Sequence, residues 1–134
     1  MDERGTTHLV VELTRSYTLQ AELYRKLSDL VQKIYGQLVL SRGDLSRVLP
    51  LFEEKQKLLN AITAERGRTQ EPADRWQREK GSVPRSEATD RLDTVLARVE
   101  TTIRGFLETE QQLEHYLKHL ADTEGASPDA EAKS

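Results

Sequence analysis

The chain has 134 residues, of which 32% are charged and 5% are aromatic, and it contains no cysteine. This composition excludes a disulfide scaffold and a thiolate metal site, and the abundance of Leu, Glu, Arg, Lys and Gln favours helices over strands. The formal charge of −3 argues against a general nucleic-acid-binding protein. Because there is no apolar run of membrane-spanning length and no secretory signal pattern, we expect a single soluble, cytoplasmic domain over residues 1–121.

The first predicted element is one long helix over residues 6–42. Apolar and aromatic side chains alternate at spacings of three and four residues, which is the heptad pattern of a helix that packs along a narrow seam. Gln20 is the polar member of this seam, and Gly36 either lets a neighbouring helix approach closely or is simply tolerated. The seam comprises Val10, Leu13, Tyr17, Gln20, Tyr24, Leu27, Val31, Ile34 and Leu38.

A short break follows, and we expect a second helix over residues 45–66 that folds back antiparallel to the first. Gly43 suits the left-handed position after a helix, and Asp44 suits the N-cap of the next helix. Pro50 leaves two alternatives open: a kink inside this helix, which we favour, or a separate turn before a helix that begins at Pro50. The apolar face consists of Leu45, Val48, Leu49, Phe52, Leu59 and Ile62, with Leu51 and Leu58 beside them.

Residues 67–85 are predicted to form a long linker because Gly67, Pro72, Gly81 and Pro84 interrupt the helical pattern. A short helix near residues 73–80 would carry Trp76, the only tryptophan. Basic residues around an aromatic side chain are one pattern of single-strand nucleic-acid binding, but acidic residues interrupt this cluster, so we expect no nucleic-acid partner and a solvated loop pinned by Trp76. The basic residues are Arg66, Arg68, Arg75, Arg78, Lys80 and Arg85.

The third predicted helix covers residues 86–121, with Ser86 as its N-cap. A second heptad seam runs through it, with Glu110 as its polar member. Residues 122–134 have small and acidic side chains, and we expect them to form a disordered acidic tail. The seam comprises Leu92, Leu96, Val99, Ile103, Phe106, Glu110, Leu113, Leu117 and Leu120.

Together these elements predict an all-α protein: an elongated, antiparallel three-helix bundle with coiled-coil-like seams. If the second helix ends at residue 66, it is too short to cover the first third of helix one. Either helices one and three then align as a two-helix stalk, or helix three begins where helix two ends and overshoots the bundle. In both arrangements an apolar seam stays exposed, which is typical of an interaction protein.

No arrangement of residues predicts catalysis, a cofactor or a metal ion. His115 and His119 are four residues apart on one helix face, but suitably placed carboxylates are missing, so we predict that they bind no metal. Gln20 and Glu110 either fix the helix register or lie at a wet edge of the seam. No nucleophile, base or oxyanion donor surrounds them, and we therefore expect that the chain is not an enzyme.

The stretch GDLSRVLPLFEEKQKLLNAI, residues 43–62, goes beyond a generic helix pattern. A long amphipathic helix, then Gly-Asp-Leu, then a helix with Glu-Lys-Gln-x-Leu-Leu resembles the FlgN family of flagellar export chaperones. The linker and the long last helix are also similar to that family, whereas Pro50 and the end of the last helix depart from it. The residues that carry the resemblance are Gly43, Asp44, Leu45, Glu54, Lys55, Gln56, Leu58 and Leu59.

The resemblance implies a cytoplasmic chaperone of type III export that binds C-terminal helical segments of hook–filament junction proteins before secretion. It also implies that the client binds largely through the last helix and the region after it. The seam of that helix is apolar enough to hold a helix. The alternative is a homo-oligomeric coiled-coil structural or adaptor protein with no flagellar role, for example a homodimer that uses the seam on itself. We expect no membrane partner. The predicted client-binding residues are Phe106, Leu107, Leu113, Tyr116, Leu117 and Leu120.

Overall fold

The computed structural model describes the backbone of residues 3–133 and the side chains of residues 5–123. Three long helices make up the fold: α1 (Glu3–Leu40), α2 (Leu49–Glu79) and α3 (Glu87–Lys133). Short 3-10 turns, Leu45–Arg47 and Lys80–Ser82, lie at the two connections, and the described residues contain no strand. The predicted all-α three-helix bundle is therefore confirmed.

Helix α1 is the centre of the bundle, since both α2 and α3 pack along it. Its 38 residues give it a length of about 57 Å, so the bundle is elongated. In the described part of the chain, no Cα atom of α2 lies within 8 Å of a Cα atom of α3. The two outer helices thus share the seam of α1 while their backbones stay apart.

Helix α1 is continuous, as its heptad pattern predicts. Its apolar seam is buried almost completely: Leu27, Val31, Ile34 and Leu38 each have 0% of their surface exposed. Gly36 lies inside the helix with no atom within 4 Å of the position that a Cβ would occupy. The interpretation of Gly36 as a close-approach site is therefore wrong, and this glycine is simply tolerated.

The turn after α1 follows the predicted chemistry. The Gly43 amide donates a hydrogen bond to the Leu38 carbonyl (2.8 Å) and the Arg42 amide donates one to the Val39 carbonyl (3.3 Å), which is the Schellman pattern of a helix C-terminus. Gly43 has φ +88°, and Arg42 also has a positive φ, 56°. Asp44 then caps the following 3-10 turn by accepting a hydrogen bond from the Ser46 amide.

Pro50 does not kink a helix, so the favoured interpretation is wrong and the alternative is correct. Helix α2 begins at Leu49, after the separate turn at residues 45–47, and Pro50 occupies its first helical turn. The amides of a first turn have no partner within the helix, so the missing N–H of proline costs nothing there.

The largest correction concerns α2, which continues to Glu79 instead of ending at residue 66. Gly67 and Pro72 lie inside the helix, so the predicted linker over residues 67–85 shrinks to residues 80–86. A glycine costs about 1 kcal/mol and an interior proline about 3 kcal/mol. Burial against α1 offsets these costs, because the later half of α2 presents one buried face that ends in Trp76.

The longer α2 also covers the first third of α1, which the sequence argument leaves exposed. Trp76 packs in a cluster with Leu9, Val10 and Leu13 of α1 and Leu92 of α3. Leu9 and Leu13 are only 2% and 1% exposed. The predicted exposed seam at this end is therefore wrong, whereas the expected packing of Trp76 on the bundle is confirmed.

Helix α3 begins where α2 ends and runs in the same direction as α1. Ser86 caps it as predicted: the Thr89 amide donates to the Ser86 hydroxyl (3.3 Å), and the Ser86 amide donates to the Thr89 hydroxyl (2.8 Å). The α3 backbone is helical to Lys133 rather than ending near Ala121, which differs from the predicted disorder of residues 122–134. Side chains after Thr123 lie outside the described residues.

We predict opposite effects of alanine at two glycines of the first hairpin. Gly36→Ala should stabilise the protein by about 0.5–1 kcal/mol, because it removes the helix penalty of glycine without a clash. Gly43→Ala should destabilise it by about 1–2 kcal/mol, because φ is +88° and Leu120 lies 2.9 Å from the added Cβ. Urea unfolding followed by circular dichroism measures both changes.

A Gly43→Ala, Leu120→Ala double variant is the control for the steric part. If the contact contributes, the double variant loses less stability than the sum of the single changes. A Gly43→Ala protein as stable as the wild type would contradict this account of the turn.

Candidate functional site

The structure places most of the predicted client-binding residues inside the monomer. Phe106 and Leu113 belong to the core and are 8% and 0% exposed. Tyr116 and Leu117 are half-buried against the same core cluster, and Leu120 packs on Gly43. Only Leu107 is exposed, at 52%. As a set, these six residues therefore form no free surface, because five of them already pack within the bundle.

Aromatic contacts explain why this part of α3 is anchored. The Phe106 ring lies 5.9 Å from the Tyr24 ring, and the Tyr116 ring meets the Tyr35 ring edge-on at 5.5 Å. The Tyr116 hydroxyl also donates a hydrogen bond to the Leu38 carbonyl (3.3 Å). These contacts bind α3 to α1 and are unavailable to a partner unless the bundle opens.

The open surface is a groove between α2 and α3, which we call the α2–α3 groove. It is a cavity of about 690 Å³ whose floor is α1. Its residues come from all three helices. Leu107 does not line the groove, but it follows the lining residue Ile103 by one helical turn along α3. The lining residues are Tyr17, Gln20, Thr63, Arg66, Gly67, Thr69, Gln70, Ala73, Val99 and Ile103.

Side-chain size varies along the groove. Towards one end of the bundle, the large side chains of Leu58, Ile62 and Phe106 fill the space between the outer helices, and Trp76 does so towards the other end. Between them Gly67 and Ala73 are the smallest of the α2 residues that line the groove, which also include Arg66 and Gln70. Gly67 has no atom within 4 Å of its missing Cβ.

A buried polar layer lies beside the groove and divides the core into two apolar clusters. The Ser16 hydroxyl donates to Glu65 Oε1 (2.7 Å) and contacts the Thr69 hydroxyl. Gln20 Nε2 donates to the hydroxyls of Thr69 (3.2 Å) and Ser16 (3.4 Å). Gln20 thus joins α1 to α2, and it lies in the interior at 4% exposure rather than at a wet edge of the seam.

Glu65 is the ionisable member of this layer. Its hydrogen bond from Arg68 holds the pKa of its carboxyl below the usual value, and the hydrogen bond from Ser16 acts in the same direction. Arg68 itself is exposed. The carboxylate is therefore held charged at the α1–α2 interface, with its charge balanced from the solvent side.

Glu110, the polar residue of the α3 seam, links the outer helices. Lys55 Nζ donates to its Oε1, and both side chains are less than one fifth exposed. Glu110 Oε2 is buried and has no hydrogen-bond partner in the described part of the chain. This ion pair joins α2 to α3 directly.

His115 and His119 line a second, smaller cavity with Tyr35, Gln112 and Tyr116. Both histidines are exposed. Among the described residues there is no group of three or more His, Cys, Asp or Glu side chains that could hold a metal ion. The absence of a metal at this position stays a prediction.

An apolar cap at the α1–α2 turn is the feature that the sequence argument missed. Four of the seven large apolar side chains that are exposed in the described part of the chain lie there, and Leu40 is 86% exposed. One turn presents far less surface than the roughly 800 Å² per partner of a stable interface. The cap residues are Val39, Leu40, Leu45 and Leu49.

No helix within the described residues is both long and apolar enough to span a membrane. Comparison of the chain with models of protein families, with curated proteins and with solved structures finds no match. The α2–α3 groove and the residues that carry the resemblance are therefore the features of the chain that bear on its function.

We predict that Glu65 makes stability depend on pH in the acid range. Its pKa is lower in the folded state than the usual 4.5, so its contribution is complete above that value and is lost as the pH falls through the folded pKa. Glu65→Gln should therefore flatten the fall in the free energy of unfolding below pH 4.5. Urea unfolding followed by Trp76 fluorescence measures it.

Glu71→Gln, an exposed change on the same helix, is the matched control and should keep the wild-type pH dependence. An unchanged pH profile in Glu65→Gln would contradict the role of this carboxylate.

Proposed function

We propose that this chain is a protein-binding module that holds an amphipathic helix of a client in the α2–α3 groove. The observation that carries the proposal is that α2 and α3 both pack on α1 while their backbones remain apart. Helices in contact pack with axes about 8–10 Å apart, so a client helix lying over the floor of the groove would contact all three helices. This is helix-in-groove recognition, in which a partner completes a four-helix arrangement.

We further propose that the module is a cytoplasmic chaperone of flagellar type III export, as the resemblance to the FlgN family implies. Its clients would be C-terminal helical segments of hook–filament junction proteins, held before secretion. Several residues that carry the resemblance have structural roles: Gly43 and Asp44 shape the first turn, and Lys55 pairs with Glu110. They support a similar hairpin, and they leave client contact to the groove.

The groove replaces most of the surface proposed from the sequence. Leu107 remains a candidate contact because it is exposed beside the groove wall, whereas Phe106 and Leu113 serve the core. Ile103 joins it as a half-buried wall residue. A client helix would cover these apolar side chains, and that burial would supply most of the affinity.

The alternative is self-association, in which a second copy of the chain occupies the groove. The apolar cap at Val39, Leu40, Leu45 and Leu49 is an exposed apolar patch of the kind that marks contacts between copies, but it lies outside the groove and is too small to hold two copies together alone. Sedimentation of the purified protein separates the two. A concentration-independent monomer supports a client, and a dimer that is lost when the groove is filled supports the alternative.

We predict that filling the groove abolishes client binding without unfolding the protein. Gly67→Tyr places a rigid side chain where the structure has open space, so the helix should tolerate it. Labelled C-terminal peptides of hook–filament junction proteins from the same organism should bind the wild type, and Gly67→Tyr should weaken binding at least about tenfold by steric exclusion. Fluorescence anisotropy measures the affinity.

Gly105→Tyr is the matched control, because Gly105 is also a helical glycine with open space around it but does not line the groove. It should bind the peptides like the wild type. Equal binding by both variants would move the site away from the groove, and no binding of these peptides by the wild type would overturn the flagellar assignment.

A further inference from the structure

The side-chain oxygen of Gln20, Oε1, lies at the floor of the groove without a hydrogen bond from the described residues. Its side chain is 4% exposed, and both of its hydrogen bonds, to Thr69 and Ser16, use Nε2. No donor within the described residues bonds its Oε1. Gln20 also lines the α2–α3 groove, so the unused end of the amide is within reach of a bound helix.

A client side chain that covers Gln20 must form a hydrogen bond with its amide. An apolar side chain would bury Oε1 without a donor, and a charged side chain would itself be buried without a counter-charge. A carboxamide carries both a donor and an acceptor, so it pairs with Gln20 whichever end of the Gln20 amide faces the groove. Paired amides at core positions of coiled coils fix register in this way.

One charged side chain of α2, Arg66, lies close to Gln20 along the groove. Arg66 donates a weak hydrogen bond (3.4 Å) to the hydroxyl of Tyr24, one helical turn beyond Gln20, and has no ion-pair partner in the described part of the chain. Arg66 also lines the groove, so it places a positive charge about one turn from the Gln20 amide.

Resting on the proposed function, we infer that the groove selects a client helix with an Asn or Gln at the centre of its apolar face. One turn from this amide, the helix carries an Asp or Glu that faces Arg66. The amide sets the register of the helix, and the carboxylate sets its direction in the groove. Apolar burial alone would set neither, because an evenly apolar stripe can slide or reverse.

The test uses two labelled synthetic amphipathic helices that are identical except for Asn or Leu at the central apolar position, each with Glu four residues away. Wild-type protein should bind the Asn peptide about tenfold more tightly than the Leu peptide, as anisotropy titrations measure. Gln20→Leu should lose or reverse this preference. Equal binding of both peptides by the wild type would overturn the inference while leaving groove binding intact.

Gln20 also bonds Ser16 and Thr69, so circular dichroism and Trp76 fluorescence must first show that Gln20→Leu is folded. Gln20→Met, which keeps the chain length, is the second variant if Gln20→Leu does not fold, and it should abolish the preference in the same way. A retained Asn preference in either folded variant would overturn the role of Gln20.

A separate experiment tests the contact between the client carboxylate and Arg66. Replacing the Glu of the Asn peptide by Gln should weaken binding to the wild type about threefold to tenfold and should have no effect on binding to Arg66→Gln. Arg78→Gln, an exposed change on the same helix outside the groove, is the matched control. If the Glu-to-Gln change weakened binding to Arg66→Gln as much as to the wild type, the assigned orientation would be wrong. Failure of the natural client peptides in the groove experiment would instead overturn the proposed function itself.

Discussion

The buried seam of α1 is the interaction on which the rest of the structure depends. Both outer helices pack against it, and their backbones do not approach each other in the described part of the chain. Each outer helix therefore gains much of its stability from contact with α1, since most helix stability in proteins comes from packing of an amphipathic face. Three helices that shared their contacts equally would close into a triangle. Here α1 occupies the central position, so the space between α2 and α3 remains open as the groove.

Periodicity predicts α1 and α3 well because each has one continuous seam, which the spacing of apolar residues reveals without knowledge of the fold. It failed for α2 because Gly67 and Pro72 are breakers in isolation, and their cost is overcome only by burial that the local sequence does not reveal. Trp76 was the available signal, since a lone large aromatic side chain seldom stays in solvent. Extending the α2 face to Trp76 would have predicted a helix through both breakers and full cover of Leu9 and Leu13.

The candidate site was less predictable than the fold, for a related reason. A heptad seam identifies apolar side chains that pack, but it does not tell whether they pack within the monomer or on a partner. Phe106 and Leu113 are core residues, whereas Leu107, outside the seam, is exposed. Small residues, Gly67 and Ala73, are part of the groove lining, and a search for apolar pattern overlooks small residues. Their position opposite α3 depends on the length of α2.

The polar layer and the groove occupy the same level of the bundle, and they share the residues Gln20 and Thr69. Ser16, Gln20, Glu65 and Thr69 replace apolar packing between α1 and α2, which costs hydrophobic burial but fixes how the two helices are aligned. An all-apolar layer at this level would leave the empty groove with an exposed apolar floor, and exposed apolar surface favours aggregation. The floor formed by Tyr17 and Gln20 combines an aromatic ring with polar groups, so it offers both apolar contact and hydrogen bonds to the proposed client helix. The amide that fixes the bundle is then the same group that distinguishes one incoming helix from another.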